Sequence, residues 1–167
     1  MSQEGRPTQS KERRQLSSEG LAQLAAKLGG SVTTHVKTIE LNVTPDKVLE
    51  ACNSVSSMPG LYHLSTITGL DLGEEIGILY QFWQGKGFVV VRTAVPKTDP
   101  KIQSITGSLP SAILYEAEIQ DLLGVSFEGN PYLGKRLLLP DNYPAEAPPP
   151  LRKEADPEKI RKMMGLE

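Results

Sequence analysis

The fold class expected from this chain is α+β: helices packed on one face of a mainly antiparallel or mixed sheet, with an extended Pro-rich C-terminal arm. Three features of the 167-residue sequence point to it. Ile76, Ile78, Tyr80 and Phe82 alternate along one strand face, Gly85-Lys86-Gly87 makes a turn, and Phe88 to Val95 forms a second strand, which together read as a hairpin. Two helical patterns precede that hairpin and one follows it. Five prolines then fall between Pro140 and Pro150, so that stretch is extended and cannot pair as a central strand.

In chain order, residues 1–15 are polar and basic with almost nothing to bury, and are expected to be a mobile N-terminal arm. From Leu16 a helix is expected, because Leu21, Leu24, Ala25 and Leu28 recur at helical spacing before Gly29-Gly30 ends it. Ile39, Leu41 and Val43 alternate with Glu40 and Asn42 as a half-buried strand. Thr44-Pro45-Asp46 offers a hydroxyl cap, a proline at the first position and an early acid, and Val48, Leu49, Cys52 and Val55 then form one apolar helix face. Pro59-Gly60 breaks it, and Leu61 to Thr68 is β-prone. Pro96 to Pro110 reads as a connector. A further helix is expected from about Pro110 to Leu123 with Gly124 as its stop, then a turn through Gly129-Asn130-Pro131 and a short strand around Arg136–Leu139. Residues 16–140 thus form the domain. Residues 141–167 form the arm, with a possible helical turn from Pro157 to Met164.

Composition narrows the function classes. The formal net charge of −2 provides no basic field for nucleic acid or anionic lipid. No apolar run approaches the roughly 20 residues of a membrane span, and the polar N-terminus leads to the expectation of no secretory signal. Cys52 is the only cysteine, so an internal disulfide is impossible and a cysteine-ligated iron–sulfur cluster cannot be held by this chain alone. His35 and His63 with one cysteine could complete a zinc site only with carboxylate help, and both read as strand residues. The Gly85-x-Gly87 pair is a hairpin turn rather than a phosphate loop, since no helix follows it. Ser104, Ser108 and Ser111 lack the flanking pattern of a nucleophile elbow, and Cys52 on an apolar face reads as core.

The segment Tyr115–Pro140 carries the most information. Placed on a helix at 100° per residue, Ala112, Tyr115, Glu116, Ile119, Leu122 and Leu123 share one side, while Glu118 and Asp121 lie across from them near Leu114. Glu116 therefore falls inside the apolar stripe. Either its carboxylate is paired, hydrogen-bonded or protonated, with Arg136 and Lys135 as the nearest cations, or it lies at the stripe's edge in solvent. Three acids on one helix also suit general acid/base work or a hard-metal site, but they point in different directions and no histidine lies in the segment. No catalytic, cofactor-binding or metal-binding residue is assigned.

The pattern Ala112, Tyr115, Glu116, Glu118, Ile119, Asp121, Gly124, Val125, Phe127, Gly129, Pro131, Leu133, Arg136, Leu137, Leu138, continued by Pro150-Leu151-Arg152-Lys153, resembles the signature of the 30 kDa subunit of respiratory complex I (the C-type subunit of NADH-quinone oxidoreductase) and its relatives in membrane-bound energy-converting hydrogenases. The resemblance covers about residues 35–153 and is strongest in the last third. Three positions depart from it: Ala117 stands where the family has Arg, Leu123 where it has an aromatic, and Asn130 where it has His. These departures tilt the reading toward a divergent branch, such as a ferredoxin-linked membrane hydrogenase or an archaeal-type dehydrogenase.

The resemblance implies a non-catalytic structural subunit of the hydrophilic arm, peripheral on the cytoplasmic side of the membrane. It would pack on a large hydrogenase-like (49 kDa-type) subunit beside a small iron–sulfur subunit, and touch the membrane only through the complex. The chain itself would hold no cofactor; iron–sulfur clusters, a nickel–iron centre, flavin or quinone would belong to partner subunits. Glu116, Glu118, Asp121, Phe127, Asn130, Lys135, Arg136, Arg152 and Lys153 would make intersubunit or arm-anchoring contacts. Two readings of other classes stay open at this point: a free-standing enzyme using the acidic helix, and a solitary binding module whose basic arm (Lys11, Arg13, Arg14) touches RNA or lipid.

Overall fold

A computed structural model describes residues 8–60, 63–85 and 87–166, with side-chain surroundings from Ser18 onward. Helix α1 spans Thr8–Leu28. It starts eight residues earlier than the apolar spacing alone suggested, so the expected N-terminal arm lies partly within α1 and, for residues 1–7, outside the described residues. Leu21, Leu24, Ala25 and Leu28 are buried as their spacing required, and the Gly30 N–H closes the helix end on the Ala25 carbonyl at 2.8 Å.

Strand β1 (Ser31–Thr34) pairs antiparallel with β2 (Thr38–Asn42). β1 was not expected, because it is mostly exposed and polar and shows no alternation. A 3-10 turn at Pro45–Lys47 leads into α2 (Val48–Ser56), which buries Val48, Ala51, Cys52 and Val55. Then come β3 (His63–Asp71), β4 (Glu75–Trp83) and β5 (Phe88–Pro96), a meander of antiparallel pairs. The five-stranded sheet has the order β1-β2-β5-β4-β3, with β2 and β5 parallel. The sheet is therefore mixed, as expected, with four helices in the chain among the described residues.

Cross-strand register puts one apolar set on a single face. Ile67 pairs with Tyr80 and Tyr80 with Val91, Ile78 with Gly69 and Thr93, and Leu41 with Val91. Ile76, Ile78, Tyr80, Phe82, Val89 and Val91 are fully enclosed on that face, continuous with the apolar sides of α1 and α2. The other face is half-buried and more polar, with Gln81 donating to Thr68 at 3.1 Å and Arg92 3.6 Å from Glu40.

After the sheet, β6 (Lys101–Gln103) pairs in parallel with β7 (Ser126–Glu128). Each is three residues long, too short to show a period, and the sequence reading placed both in connectors and turns. Between them a 3-10 turn at Pro110–Ala112 opens α3 (Ile113–Leu123). Gly124 caps α3 at φ 72°, and its N–H reaches the Gln120 carbonyl at 2.9 Å. α3 lies against β3. A Cβ on Gly69 would sit 2.4 Å from Leu123 Cδ1 and 3.2 Å from Ile119 Cγ2, so a larger residue there would push these α3 side chains aside. The strand expected around Arg136–Leu139 does not form, for a reason given below. Beyond Pro140 the chain runs through turns to α4 (Pro157–Met163), where Asp156 caps the helix and Ile160 is buried.

Candidate interaction site

The signature segment folds around two carboxylates of α3. Glu116 has no exposed surface. Its Oε2 accepts from Ser104 Oγ at 2.6 Å and Asn130 Nδ2 at 2.9 Å, and its Oε1 accepts from the Ile105 N–H at 2.9 Å. The acid thus ties α3 to the loop after β6 and to the turn after β7. Burial pushes its carboxyl above the ordinary value, and the hydrogen bonds from Ser104, Asn130 and Ile105 hold it back. Burial was expected on helical phase, and the solvent alternative fails. The expected pairing with Lys135 or Arg136 also fails: neutral donors, not cations, satisfy the charge, and both basic residues are exposed. Asn130 additionally donates to the Ile113 carbonyl at 3.1 Å and accepts from the Tyr132 N–H at 2.8 Å.

Asp121 does for the next loop what Glu116 does for the core. Its Oδ2 accepts from the backbone N–H groups of Leu137 and Leu138 at 2.7 Å and of Leu139 at 3.1 Å. Three consecutive amides that converge on one carboxylate cannot alternate along a strand ladder, which is why no strand forms there. From the other side, the Arg136 guanidinium donates to the carbonyls of Pro140 at 2.6 Å, Asp141 at 3.3 Å and Tyr143 at 3.0 Å. Gln120 joins the same loop, donating to the Lys135 carbonyl at 2.9 Å. Asp121 is buried, although the helical wheel placed it opposite the apolar stripe; the returning loop covers it.

The C-terminal segment is fastened across the end of α3. The Leu151 N–H donates to the Leu122 carbonyl at 3.0 Å, and Arg152 Nε donates to the Leu123 carbonyl at 2.8 Å. At Gly124 a Cβ would come 2.8 Å from Pro149 Cγ and 3.0 Å from Arg152 Nη2, so the cap residue needs both its positive φ and its missing side chain. The Lys153 N–H donates to Asp71 Oδ2 at 2.8 Å. Lys97 Nζ lies 2.7 Å from both Asp71 and Glu154. The Lys97 bond, then those from the Lys153 and Gly73 backbone, hold the Asp71 carboxyl well below the usual carboxylate range.

The nine residues singled out in sequence therefore divide. Glu116 and Phe127 are fully enclosed, and Asp121 and Asn130 nearly so; they shape the surface from within their own chain. Arg152 is half-buried, while Glu118, Lys135, Arg136 and Lys153 are exposed. Sequence reasoning missed Ser104 and Ile105 as partners of Glu116, and the Asp71–Lys97–Glu154 cluster. Both depend on pairings between segments that no local pattern records. Cys52 is enclosed as expected, and burial raises its thiol well above the ordinary value. Among the described residues no three His, Cys, Asp or Glu side chains are placed to hold a metal ion, and no helix is long and apolar enough to cross a membrane.

These features define an α+β domain in which two buried acids, Glu116 and Asp121, organise surface loops. The chain belongs to the respiratory-chain NADH dehydrogenase 30 Kd subunit family, whose pattern it matches over residues 41–161. It is 32% identical over 118 residues to the NADH-quinone oxidoreductase C subunit of Moorella thermoacetica, covering 68% of this chain and 77% of that one. It is 29% identical over 120 residues to the F(420)H(2) dehydrogenase C subunit of Methanosarcina mazei, covering 70% and 74%. A 66-residue stretch is 39% identical to the NADH-quinone oxidoreductase C/D subunit of Methylococcus capsulatus, covering 40% of this chain and 11% of that one. In fold it is similar to a chain of the membrane-bound sulfane sulfur reductase, an archaeal respiratory membrane complex, at TM-score 0.76 and 21% identity over 90% of each chain. It is also similar in fold to a trypsin-resistant fragment of Nqo5, at TM-score 0.59 and 24% identity over 68% of this chain and 97% of the fragment.

Proposed function

We propose that this chain is a non-catalytic structural subunit of the hydrophilic arm of a complex I-like membrane oxidoreductase. It packs on a large hydrogenase-like (49 kDa-type) subunit, beside a small iron–sulfur subunit, and sits peripherally at the cytoplasmic side of the membrane. Electron transfer coupled to ion translocation belongs to the complex. The observation that carries this reading is the family match across residues 41–161. The site agrees with it, since Glu116 and Asp121 are committed to backbone and neutral donors within the chain. Relatives named as a C/D subunit join the two in a single polypeptide, which supports a D-type subunit as the direct neighbour.

A second reading concerns the branch. Similarity to an F(420)H(2) dehydrogenase subunit at coverage comparable to the NADH-quinone relatives favours an electron donor other than NADH as readily as NADH itself. One experiment tests both: purify the tagged chain from its host in mild detergent and identify what accompanies it. A large subunit, an iron–sulfur subunit and antiporter-like membrane subunits are expected, and the input module recovered with them decides the branch. A clean monomer under gentle conditions would overturn the proposal.

A further inference from the structure

A buried carboxyl needs donors while it is charged and an acceptor once it takes up a proton; Glu116 has both within reach. Its Oε2 lies 2.6 Å from Ser104 Oγ, Ser104 Oγ lies 2.7 Å from Thr106 Oγ1, and Thr106 Oγ1 lies 3.5 Å from the Gly129 carbonyl. A hydroxyl both donates and accepts, so the Ser104–Thr106 contact forms with either oxygen as donor. The Thr106 N–H, 3.1 Å from Ser104 Oγ, holds that oxygen in line without fixing the direction of its hydroxyl. The row leads outward: Glu116 is 0% exposed, Ser104 7% and Thr106 8%, and Gly107 and Gly129 at its far end are exposed. No charged partner fixes the state of the carboxyl. Among the described residues the ionisable groups that its charge reaches are Cys52 on α2 and Tyr80 on β4, and burial keeps both uncharged by pushing their own values up. The loop after β6 and the turn after β7 bring it only a hydroxyl, a backbone N–H and an amide.

We infer that Glu116 is a buried proton-exchange site, connected to solvent by the Ser104–Thr106 hydroxyl pair, which bonds the carboxyl in its charged and its neutral form alike. In the charged form Thr106 O–H donates to Ser104 Oγ, and Ser104 O–H donates to Glu116 Oε2. A proton passed from a solvent acid to Thr106 Oγ1 moves the Thr106 proton to Ser104 and the Ser104 proton to Oε2. Every O–H bond broken is matched by one formed, and the row then points the other way. Glu116 now donates to Ser104, Ser104 to Thr106, and Thr106 toward the Gly129 carbonyl. The proton comes to rest on Oε2, the oxygen that also accepts from Asn130 Nδ2 at 2.9 Å, while Oε1 keeps the Ile105 N–H. Protonation therefore weakens the tie to the turn after β7 and spares the Ile105 tie to the loop after β6.

Carboxyl-carbon NMR of the full chain, carrying isotope-labelled glutamate, is the test, with Glu116→Gln identifying the signal. In the wild type that signal should move with pH while the protein stays folded, with a midpoint above the ordinary glutamate value of about 4.3. The Asn130 side-chain amide signals should shift with the same midpoint. Thr106→Val removes the outer hydroxyl and little else. The charged carboxylate keeps its donors from Ser104, Ile105 and Asn130, but the neutral form loses the acceptor for the Ser104 hydrogen. The midpoint should therefore fall by about half to one pH unit, and Thr106→Ser should leave it at the wild-type value. A midpoint unchanged or raised in Thr106→Val would overturn the inference, since hydroxyls that only brace the loop give that result. If Thr106→Val does not fold, the wild type decides: the Thr106 Cβ signal should shift with the Glu116 midpoint. A Thr106 signal that stays still, or a Glu116 carboxyl that does not titrate before the protein unfolds, sinks the inference.

Discussion

The sheet and the signature segment share one apolar core, but the second adds a set of polar ties that the first lacks. Across β4 and β5, cohesion is apolar: Ile76, Ile78, Tyr80, Phe82, Val89 and Val91 are fully enclosed and interlock in register with neighbouring strands. From Ser104 to Glu154 the backbone is mostly turns; Ile105, Ile119, Val125 and Phe127 join the same apolar core, and a few polar side chains in addition satisfy amides and carbonyls lacking a ladder. The difference teaches what the signature is for. Glu116 and Asp121 substitute for secondary structure where the surface takes an irregular shape.

The sharpest way to break this comparison is to remove one member from each region. Phe82→Ala should cost about 3–5 kcal/mol through lost transfer and cavity terms. Glu116→Ala should cost about as much, near 3–5 kcal/mol, because the Ser104 hydroxyl, the Ile105 N–H and the Asn130 amide are left buried without their acceptor. Urea unfolding measures both, and a loss below about 1 kcal/mol for Glu116→Ala would mean the polar region is not held from inside. Asp121→Asn should be milder and local. Hydrogen exchange at the Leu137, Leu138 and Leu139 amides should quicken on the order of ten-fold, with the β4 and β5 amides unchanged.

Protonation separates Asp71, at the end of β3, from Glu116. Asp71, depressed in the folded state, contributes stability that is present above its unfolded value of about 3.9 and is lost as pH falls toward the lower folded one. Glu116, raised in the folded state, works the other way: its contribution is complete below the unfolded value of about 4.3 and is lost as pH rises through the folded value. The urea midpoint against pH should therefore lose its acid fall in Asp71→Asn and part of its decline above the weak-acid range in Glu116→Gln. The smallest effect lies in the sheet. The Tyr80 hydroxyl is buried with no hydrogen-bond partner among the described residues, so Tyr80→Phe should be neutral or slightly stabilising, by roughly 0–1 kcal/mol in the same unfolding measurement.

The same contrast explains which parts were legible in the sequence. Alternation at 76–82 and helical spacing at 21–28 are one-dimensional traces of a buried face, so the hairpin and α1's apolar side could be read directly. Glu116's burial was legible for that reason too, from its phase on α3. Its partners were not, because Ser104 and Asn130 approach it from segments on either side of the helix and are chosen by shape and hydrogen-bonding capacity rather than charge. The nearest-cation argument failed at this point. Asp121 pairs with amides, a group every residue near 137 carries and no sequence advertises. The expected strand at Arg136–Leu139 fell with it, since an apolar run cannot reveal that its N–H groups are already committed.

The parallel pairing of β2 with β5 has a consequence for how the chain is made. Thr38 meets Phe88, so β2 leaves the ribosome about fifty residues ahead of its partner, whereas β3, β4 and β5 each find a neighbour as soon as the next strand emerges. The meander can close early and locally, and the β1–β2 pair has to wait and then dock on β5 across a crossover that contains α2, β3 and β4. During that interval one edge of β2 stays open to other strands.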